Sequence, residues 1–470
     1  MKPFHLSPKK SLIAAICLLL LLSPLSSNPT NASAQAAALA AFQTLWPITS
    51  NNTEGASIAV DANGGVHLAF AAYTAAGGVY PAYYAYCPAN CGVLNNWTVT
   101  SVQNIGTYGG SVRLELNGSG QPRMLWYRQL SVSNNGVYQY GACNSNCTNP
   151  NSWTIATLYD DAVSSTNTRY FALNHQGNPR FLYTDTDTVN DHDGTYYAYC
   201  DMNCTSAGNW REVQISTAYL LNDFSLSFTP SGAARLAFRY PGWDDTINYA
   251  ECNGNCQNAD NWNDVTLVDV LGAYGAFSMD LDSQGRPRLA YYSGYIDSSS
   301  ADNDFLWYGW CDSGCLNSSS WNFNSVGLPQ DYGKDVELAV DAQNRLHLAY
   351  YAEDMTQSIY GLGYTVCKAN CTTGTPTWED SFVETDSSLE ISDPITPNPG
   401  CLSYWLDVGK DPSLAVDATG QPRFGFTAVH YQGGTCSIRE DIRLVRYGQS
   451  GSTTPPIEKK NKVYIPIAIK

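Results

Sequence analysis

The sequence predicts an all-β fold, a seven-bladed β-propeller of four-stranded blades. Two recurring elements carry this prediction. A strand–turn–strand element occurs seven times, with successive copies 53 to 76 residues apart, and a C-x3-C pair followed by a Trp occurs six times. Because both elements recur along most of the chain, we interpret the chain as repeats of one structural unit.

Each strand–turn–strand copy has an Asp, Asn or Thr before the turn and an Arg or His six residues later. The copies are Asp61–His67, Asn117–Arg123, Asn174–Arg180, Thr229–Arg235, Asp282–Arg288, Asp341–His347 and Asp417–Arg423. This spacing brings the two residues within reach across a hairpin. We therefore interpret the seven cations as structural rather than as a binding ring.

One unit accounts for four strands. Strand A is Ser57 to Val60 before the turn, and strand B is His67 to Ala71 after it. Strand C, Tyr83 to Tyr86, ends at the first Cys, and strand D starts at Trp97. Four short antiparallel strands separated by turn signals are typical of a propeller blade. No segment shows helical periodicity.

The seventh unit ends with its strand C, Ile442 to Tyr447, and has neither the Cys pair nor the Trp. Trp46-Pro-Ile-Thr, near the N-terminus, resembles the start of strand D in other units. We expect Trp46–Ser50 to complete the last blade and close the ring, which leaves no open sheet edge. The long final interval contains an insertion at about 381–411.

The N-terminus predicts export. Lys2, Lys9 and Lys10 precede an apolar run, and Ala32-Ser-Ala follows it as a cleavage signal. We expect residues 1–34 to be a signal peptide, 35–448 the propeller, and 449–470 a Pro/Ser/Thr linker with an apolar tail. The predicted localisation is secreted or cell-surface, without a membrane span.

The cysteines outside the signal peptide number fourteen, an even number that suits disulfides in an oxidising compartment. Zinc sites usually combine C-x2-C to C-x4-C pairs with further ligands and favour reducing compartments, so six local disulfides are expected instead. Elimination pairs the remaining two. The predicted pairs are Cys87–Cys91, Cys143–Cys147, Cys200–Cys204, Cys252–Cys256, Cys311–Cys315, Cys367–Cys371 and Cys401–Cys436.

Charge restricts the partners. There are 25 Lys and Arg against 42 Asp and Glu, a net charge of −17. Nucleic acids and anionic membranes are held by Lys and Arg, so we expect neither as a partner. Neutral glycans or an extracellular protein remain, and we expect a monomer.

The Ala-Val-Asp-x-x-Gly-x-Pro-Arg-x-x-Tyr pattern, with a Trp opening the fourth strand, resembles the sialidase-like (BNR-repeat) propeller superfamily over residues 42–448. The superfamily's Asp-box is replaced by the Cys-x3-Cys element. The C-terminus resembles the Val-Tyr-Leu-Pro tail of bacterial secreted proteins, with Ile465 in place of Leu. The resemblance implies a propeller fold and either glycan binding or glycoside hydrolysis.

Positions unique to one blade are where a site is expected. Period-two alternation puts the polar residues of strand A on one side, towards the centre of the ring. Four charged residues, Arg113, Glu115, Asp280 and Glu337, occupy these positions. They form either a paired network around a water-filled channel, or a ligand site or carboxylate pair for acid/base chemistry.

A second candidate set lies at strand B ends and in the following loops. It consists of Arg128, Arg239, Tyr240, Trp243 and Tyr292. Aromatic faces with charged groups suit a sugar ring, whereas the alternative is ordinary exposed loop aromatics.

A third candidate is calcium. Asp185, Asp187, Asp191 and Asp193 place carboxylate oxygens densely enough to bind Ca²⁺, although Val189 breaks the EF-hand pattern. The alternative is a solvated acidic loop, and we expect no other cofactor.

Three functions remain open. The favoured one is a secreted carbohydrate-binding propeller. A sialidase-like hydrolase is the second, with an arginine cluster drawn from Arg113, Arg128, Arg169 and Arg239. A surface protein-interaction scaffold is the third. No catalytic motif matches residue by residue, so we favour binding over catalysis.

Overall fold

The structure is a computed structural model. It describes residues 39–48, 56–72, 81–104, 111–129, 135–158, 162–163, 170–187, 192–216, 223–240, 246–269, 277–293, 305–328, 332–354, 359–392, 402–433 and 442–454. For residues 39–48 and a few at the edges of other ranges, only the backbone is described. The predicted signal peptide and residues 455–470 lie outside the described residues.

The described chain is almost entirely β-strand, arranged as seven antiparallel blades. Blade 1 contains β2 (Ser57–Val60), β3 (Val66–Ala71), β4 (Pro81–Cys87) and β5 (Thr98–Asn104), and blade 2 contains β6 (Val112–Leu116), β7 (Pro122–Gln129), β8 (Asn135–Cys143) and β9 (Trp153–Thr157). Blade 3 contains β11 (Phe171–Leu173), β12 (Pro179–Asp187), β13 (His192–Tyr199) and β14 (Arg211–Ser216). Blade 4 contains β15 (Phe224–Phe228), β16 (Ala234–Tyr240), β17 (Thr246–Cys252) and β18 (Asn263–Asp269).

The remaining blades follow the same order. Blade 5 contains β19 (Phe277–Leu281), β20 (Pro287–Ser293), β21 (Phe305–Cys311) and β22 (Trp321–Ser325), and blade 6 contains β23 (Tyr332–Val340), β24 (Leu346–Asp354), β25 (Ile359–Ala369) and β26 (Thr377–Thr385). Blade 7 contains β27 (Leu402–Val416), β28 (Pro422–Gly433), β29 (Ile442–Thr454) and β1 (Leu39–Ile48). A short strand, β10 (Ala162–Val163), pairs with both β8 and β12 and so joins blades 2 and 3.

The first strand of each blade lies innermost. These strands contact one another in succession, β2 with β6, β6 with β11, and so on to β27, which contacts β2 again. The seven-bladed ring predicted from the repeats is therefore confirmed. We call the end with the A–B turns and Cys loops the turn face, and the opposite end the loop face.

The N-terminal strand closes the ring as predicted. β1 pairs antiparallel with β29, with Trp46 opposite Val445 and Leu39 opposite Thr454. The strand begins seven residues earlier than predicted, and β29 continues past the predicted domain end at 448. The additional residues of β1 pair with the additional residues of β29. Because each segment is a strand only through its partner, the pattern of either segment alone does not predict the longer strands.

Six disulfides join the predicted C-x3-C pairs from Cys87–Cys91 to Cys367–Cys371, each with a Cα–Cα distance of 5.7 or 5.8 Å. The residue before the second Cys has a positive φ in every loop, and it is Asn in five loops and Gly314 in the other. Asn and Gly tolerate this left-handed conformation best, which explains their placement. Cys401 and Cys436 lie outside the described residues.

The Trp after each Cys loop packs edge-on against a strand C Tyr of the preceding blade. The pairs are Trp97–Tyr447, Trp153–Tyr84, Trp210–Tyr140, Trp262–Tyr197, Trp321–Tyr249 and Trp378–Tyr308, with ring centroids 4.9 to 5.3 Å apart. Edge-to-face packing is the favoured aromatic geometry. The Trp97–Tyr447 pair carries this contact across the junction between the first and last blades.

The predicted cross-hairpin pairs form in the copies whose turn residue is Asp. In two of the Asn and Thr copies the arginine pairs elsewhere, Arg180 with Asp201 and Arg235 with Glu251. Arg288 lies 2.6 Å from Asp282, Arg423 2.7 Å from Asp417, and His347 3.0 Å from Asp341. The same Asp residues accept backbone N–H bonds within the turn. These groups therefore stabilise the hairpins at the turn face.

The insertion before blade 7 contains one short helix, α1 (Asp386–Ser392). Leu389 anchors it, fully buried in the core between blades 6 and 7. The sequence analysis expected no helix, because seven residues span too few turns to show a 3.6-residue period. Among the described residues, no helix has the length and apolarity to cross a membrane.

Candidate functional site

A cavity of about 360 Å³ occupies the centre of the ring between the innermost strands. The alternating pattern of strand A sends its polar side chains there, and all four predicted charged residues line it: Arg113, Glu115, Asp280 and Glu337. Each is half-buried. Asp411, which the sequence analysis did not single out, also lines this cavity.

Several polar side chains of strand A link neighbouring blades. Ser57 Oγ accepts from Leu114 N–H at 3.0 Å, and Ser413 Oγ accepts from Ile58 N–H at 3.0 Å. Ser225 Oγ accepts from Met279 N–H at 2.9 Å. These contacts satisfy backbone N–H groups of inner strands, which would otherwise be left unpaired in the wall of the tunnel.

Asp280 performs the same linking role between blades 5 and 6. Its Oδ2 accepts from Val340 N–H at 2.9 Å, and its Oδ1 accepts from Leu281 N–H at 2.8 Å. Both oxygens of this carboxylate are therefore engaged by the backbone. The geometry supports the network alternative for Asp280 more than a ligand-binding role.

Arg113 lies between blades 2 and 3. Its guanidinium carbon is 5.6 Å from the centroid of the Tyr170 ring, a cation–π distance. The Tyr170 hydroxyl is hydrogen-bonded to Ser111 Oγ at 2.9 Å. The arginine is thus oriented by the neighbouring blade, and its Nη1 donates to the Val112 carbonyl at 3.5 Å. A guanidinium that lines a cavity is a suitable donor for hydroxyl or carboxylate oxygens.

A second cavity, of about 280 Å³, opens between blades 6 and 7, and we call it the 6–7 cleft. Its lining residues belong to the N-terminal parts of strands A, to the end of strand B and to the start of strand C, which lie towards the loop face. They are Lys334, Asp335, Tyr351, Glu353, Tyr360, Leu406, Asp407 and Lys410. None of these residues is among the candidates predicted from the sequence.

The 6–7 cleft is built by a tripeptide that occurs in both blades. Gly333-Lys334-Asp335 and Gly409-Lys410-Asp411 interrupt β23 and β27 at equivalent points, where the strand registers shift. Both Asp residues have positive φ, 53° and 48°. A Cβ on Gly409 would lie 2.6 Å from the Leu362 backbone, so only glycine fits this approach of the two blades.

Both lysines of the 6–7 cleft are paired with carboxylates. Lys334 Nζ lies 3.0 Å from Glu353 Oε2, and Lys410 Nζ lies 2.6 Å from Asp407 Oδ2. Asp407 is 7% exposed, and its second oxygen, Oδ1, has no hydrogen-bond partner among the residues that the structure describes. A buried polar atom left without a partner costs about 1–3 kcal/mol.

Burial and neighbouring charges perturb titration in the 6–7 cleft. Burial, with the nearby Asp411 carboxylate, raises the pKa of Asp335 to about 7. Burial and then the Asp407 carboxylate raise the pKa of Tyr351 well above its usual value. Burial alone would lower the pKa of Lys410, but the carboxylate of Asp407 reverses this and raises it. Such perturbed groups are more frequent in functional sites than elsewhere.

Two residues of the second predicted set, Arg239 and Tyr292, are described and do not line either cavity. Arg239 pairs with Asp223 at 2.8 Å in blade 4, and Tyr292 is buried at 3% exposure in blade 5. The side chains of Arg128, Tyr240 and Trp243 lie outside the described residues, so their role stays a prediction.

The predicted calcium ligands Asp187, Asp191 and Asp193 also have side chains outside the described residues. Asp185 is described and buried, in a strand that pairs with β10. Among the described residues, no group of three or more His, Cys, Asp or Glu side chains could hold a metal ion. Calcium at this loop therefore stays a prediction.

The sequence matches no protein-family profile and no curated protein. Solved structures do resemble it. The structure of a PL25 ulvan lyase is 9% identical, with a TM-score of 0.52 over 88% of this chain and 97% of the lyase. An α-L-arabinanase from Penicillium chrysogenum is 12% identical, with a TM-score of 0.43 over 66% of this chain and 94% of the enzyme. The NanB sialidase from Streptococcus pneumoniae is 10% identical, with a TM-score of 0.42 over 87% and 70%. At these identities the likeness concerns the fold.

Proposed function

We propose that this protein is an extracellular carbohydrate-binding propeller with its glycan site in the central cavity. The observation that carries the proposal is the convergence of Arg113, Glu115 and Glu337, charges that each occur on one blade only, in a cavity of about 360 Å³. A sugar presents hydroxyl groups that both donate and accept hydrogen bonds. Guanidinium donors and carboxylate acceptors in one wall match that requirement.

The compartment supports this proposal. Six disulfides are described, and structural disulfides persist in oxidising environments such as the cell exterior. The fold is also compatible, since the ulvan lyase with a similar fold has been solved bound to a GlcA–Rha3S saccharide. One fold hosts many functions, so the proposal depends on the cavity rather than on this likeness.

Glycoside hydrolysis is the second candidate, because the same cavity contains several carboxylates. Glu115, Asp280 and Glu337 all line it, and hydrolysis of a glycosidic bond uses a pair of carboxyl groups. Asp280 is held by two backbone N–H groups, which leaves Glu115 and Glu337 as the pair to test.

The test is a glycan array with the purified protein, in calcium and again in EDTA. We expect binding to a defined group of glycans, lost in Arg113→Ala and retained in Arg286→Ala. Arg286 is a matched control because it pairs with Asp282 at the turn face, away from the cavity. Sensitivity to EDTA would support calcium at Asp185–Asp193.

Absence of binding on the array would contradict the proposal. Fluorogenic glycosides then distinguish the alternatives. Turnover that is lost in Glu115→Gln or Glu337→Gln would indicate a hydrolase, and no turnover would favour a surface protein-interaction scaffold.

A further inference from the structure

We propose that the 6–7 cleft is a second binding site, separate from the central cavity, and that it holds one neutral, hydroxyl-rich ring such as a single sugar residue. The inference rests on the proposed function for its ligand class alone. The residues of the cleft come from blades 6 and 7, and their contacts with one another define the site.

Asp407 identifies the kind of group that the ligand must offer. Its side chain is 8% exposed, Lys410 lies 2.6 Å from Oδ2, and the Tyr351 hydroxyl also donates a hydrogen bond to this carboxylate. Oδ1 has no hydrogen-bond partner among the described residues. A carboxylate oxygen only accepts hydrogen bonds, so the missing group is a donor. A ligand hydroxyl or amine supplies one.

The charges of the cleft favour a neutral ligand over an ionic one. Lys334 and Lys410 are each paired with a carboxylate, so a uronate would meet Glu353 and Asp407 without a spare cation opposite it. An ammonium ligand would meet two resident ammonium groups. The third carboxylate of the lining, Asp335, has its pKa raised to about 7 by burial and the Asp411 carboxylate, so it carries only part of a charge at neutral pH. A hydroxyl avoids both repulsions, because it donates to Oδ1 without bringing a charge into a half-buried site.

Size and access fit one ring. The cleft volume is about 280 Å³, near the lower end of ligand pockets.

Oδ1 of Asp407 is itself screened from solvent, so a ligand reaches it when a neighbouring side chain moves. Lys410 is suited to move because it is 41% exposed and its aliphatic chain is flexible. Tyr360, half-buried in the wall, offers an aromatic ring to the apolar face of a sugar.

The experiment is saturation-transfer NMR of the full protein with a panel of probes. The neutral probes are galactose, glucose, mannose, rhamnose, arabinose and N-acetylglucosamine, and the charged probes are glucuronate and glucosamine. We expect at least one neutral sugar to bind, and to bind more tightly than either charged probe.

Asp407→Asn tests the contact, because it replaces one acceptor oxygen by an N–H₂ donor of the same shape. We expect affinity for the neutral sugar to fall about tenfold or more. Asp417→Asn is the matched control, since it removes an ion pair with Arg423 just beyond the other end of the same strand. It should leave affinity unchanged. If Asp407→Asn folds poorly by circular dichroism, Tyr360→Ala tests the same cleft from its half-buried wall.

Two results would overturn the inference. One is sugar binding that Asp407→Asn and Tyr360→Ala both leave intact. The other is tighter binding of a charged probe than of every neutral one. Sugar binding lost in Arg113→Ala but kept in both cleft variants would support the central site and reject the cleft. Binding lost in the cleft variants alone would support the cleft and count against the central site.

Discussion

Glu384 and Arg446 form a doubly hydrogen-bonded ion pair that joins blade 6 to blade 7. Both contacts, Nε to Oε2 and Nη2 to Oε1, are 2.6 Å long, and each residue is 1% exposed. The pair lies on β26 and β29, and Arg446 is also opposite Thr44 of the closing strand. A charge pair this deeply buried makes each partner dependent on the other.

Removing one partner of this ion pair should therefore destabilise the folded protein strongly. We expect Glu384→Gln to lower the free energy of unfolding by about 3–5 kcal/mol, because Arg446 remains buried without its counter-charge. Urea unfolding measures the change. The control is Glu379→Gln, which breaks the exposed Lys368–Glu379 pair and should cost less than about 1 kcal/mol. Equal effects of the two substitutions would contradict the interpretation.

Ring closure can be tested by truncation. Deleting residues 39–48 removes β1 and leaves β29 as an exposed edge. We expect a fall of several degrees or more in melting temperature for the entire domain, with a single cooperative transition replaced by a broader one. The control removes residues 455–470, which follow β29. An unchanged melting temperature after the N-terminal deletion would disprove closure by β1.

Two of the Trp residues that follow the Cys loops, Trp321 and Trp378, differ in whether the indole N–H has a hydrogen-bond acceptor. Trp321 Nε1 donates to the Cys315 carbonyl at 2.8 Å, whereas Trp378 Nε1 is buried without a partner in the described structure. The loop before Trp378 is one residue longer than the loop before Trp321. Both rings pack edge-on against a Tyr of the preceding blade.

Substitution by Phe keeps most of the ring and removes the N–H in both cases. We expect Trp321→Phe to cost about 1 kcal/mol more than Trp378→Phe, because only the first loses a hydrogen bond. Trp378→Phe removes an unsatisfied donor and should be close to neutral. Chemical denaturation of the two variants measures the difference, and a larger loss for Trp378→Phe would count against it.

The raised pKa of Asp335 predicts a pH dependence with a defined sign. Between its unfolded value near 4 and its folded value of about 7, the folded protein binds a proton that the unfolded chain does not. Stability from this group is thus present in acid and lost as the pH rises through 7. Asp335→Asn should be more stable than the native protein at pH 8 by about 1 kcal/mol or more, and similar to it at pH 4.

Asp223 is the control for this substitution. It occupies the equivalent position in blade 4, but it is paired with Arg239 at 2.8 Å. Asp223→Asn should therefore lower stability at pH 8 rather than raise it. Melting temperatures of both variants between pH 4 and 8 give the comparison, and a parallel shift of the two would refute the assignment.

The fold could be predicted from the sequence because its determinants are repeated. Period-two alternation in strand A placed Arg113 and Glu337 in the central cavity, and the missing seventh Trp pointed to Trp46. The 6–7 cleft could not be found in this way. Asp407 has a counterpart in the sequence, Asp331, two residues before the tripeptide of blade 6, but its unpaired oxygen depends on where Lys410 lies. The repeated Gly-Lys-Asp tripeptide is a usable signal, but it precedes the alternating segment of strand A that predicts the central cavity.

The pairing of β1 with β29 also constrains when the molecule can finish folding. Leu39 and Thr454 are partners across 415 positions of sequence. The first strand to emerge from the ribosome or a translocation pore must wait, unpaired, until almost the whole polypeptide has followed. During that interval the unpaired backbone N–H and C=O groups of β1 can bind to other chains. Pairing between strands this far apart in the sequence is also slow. The ring can therefore close only after almost the whole chain is available, and crowded expression should favour strand-exchanged oligomers.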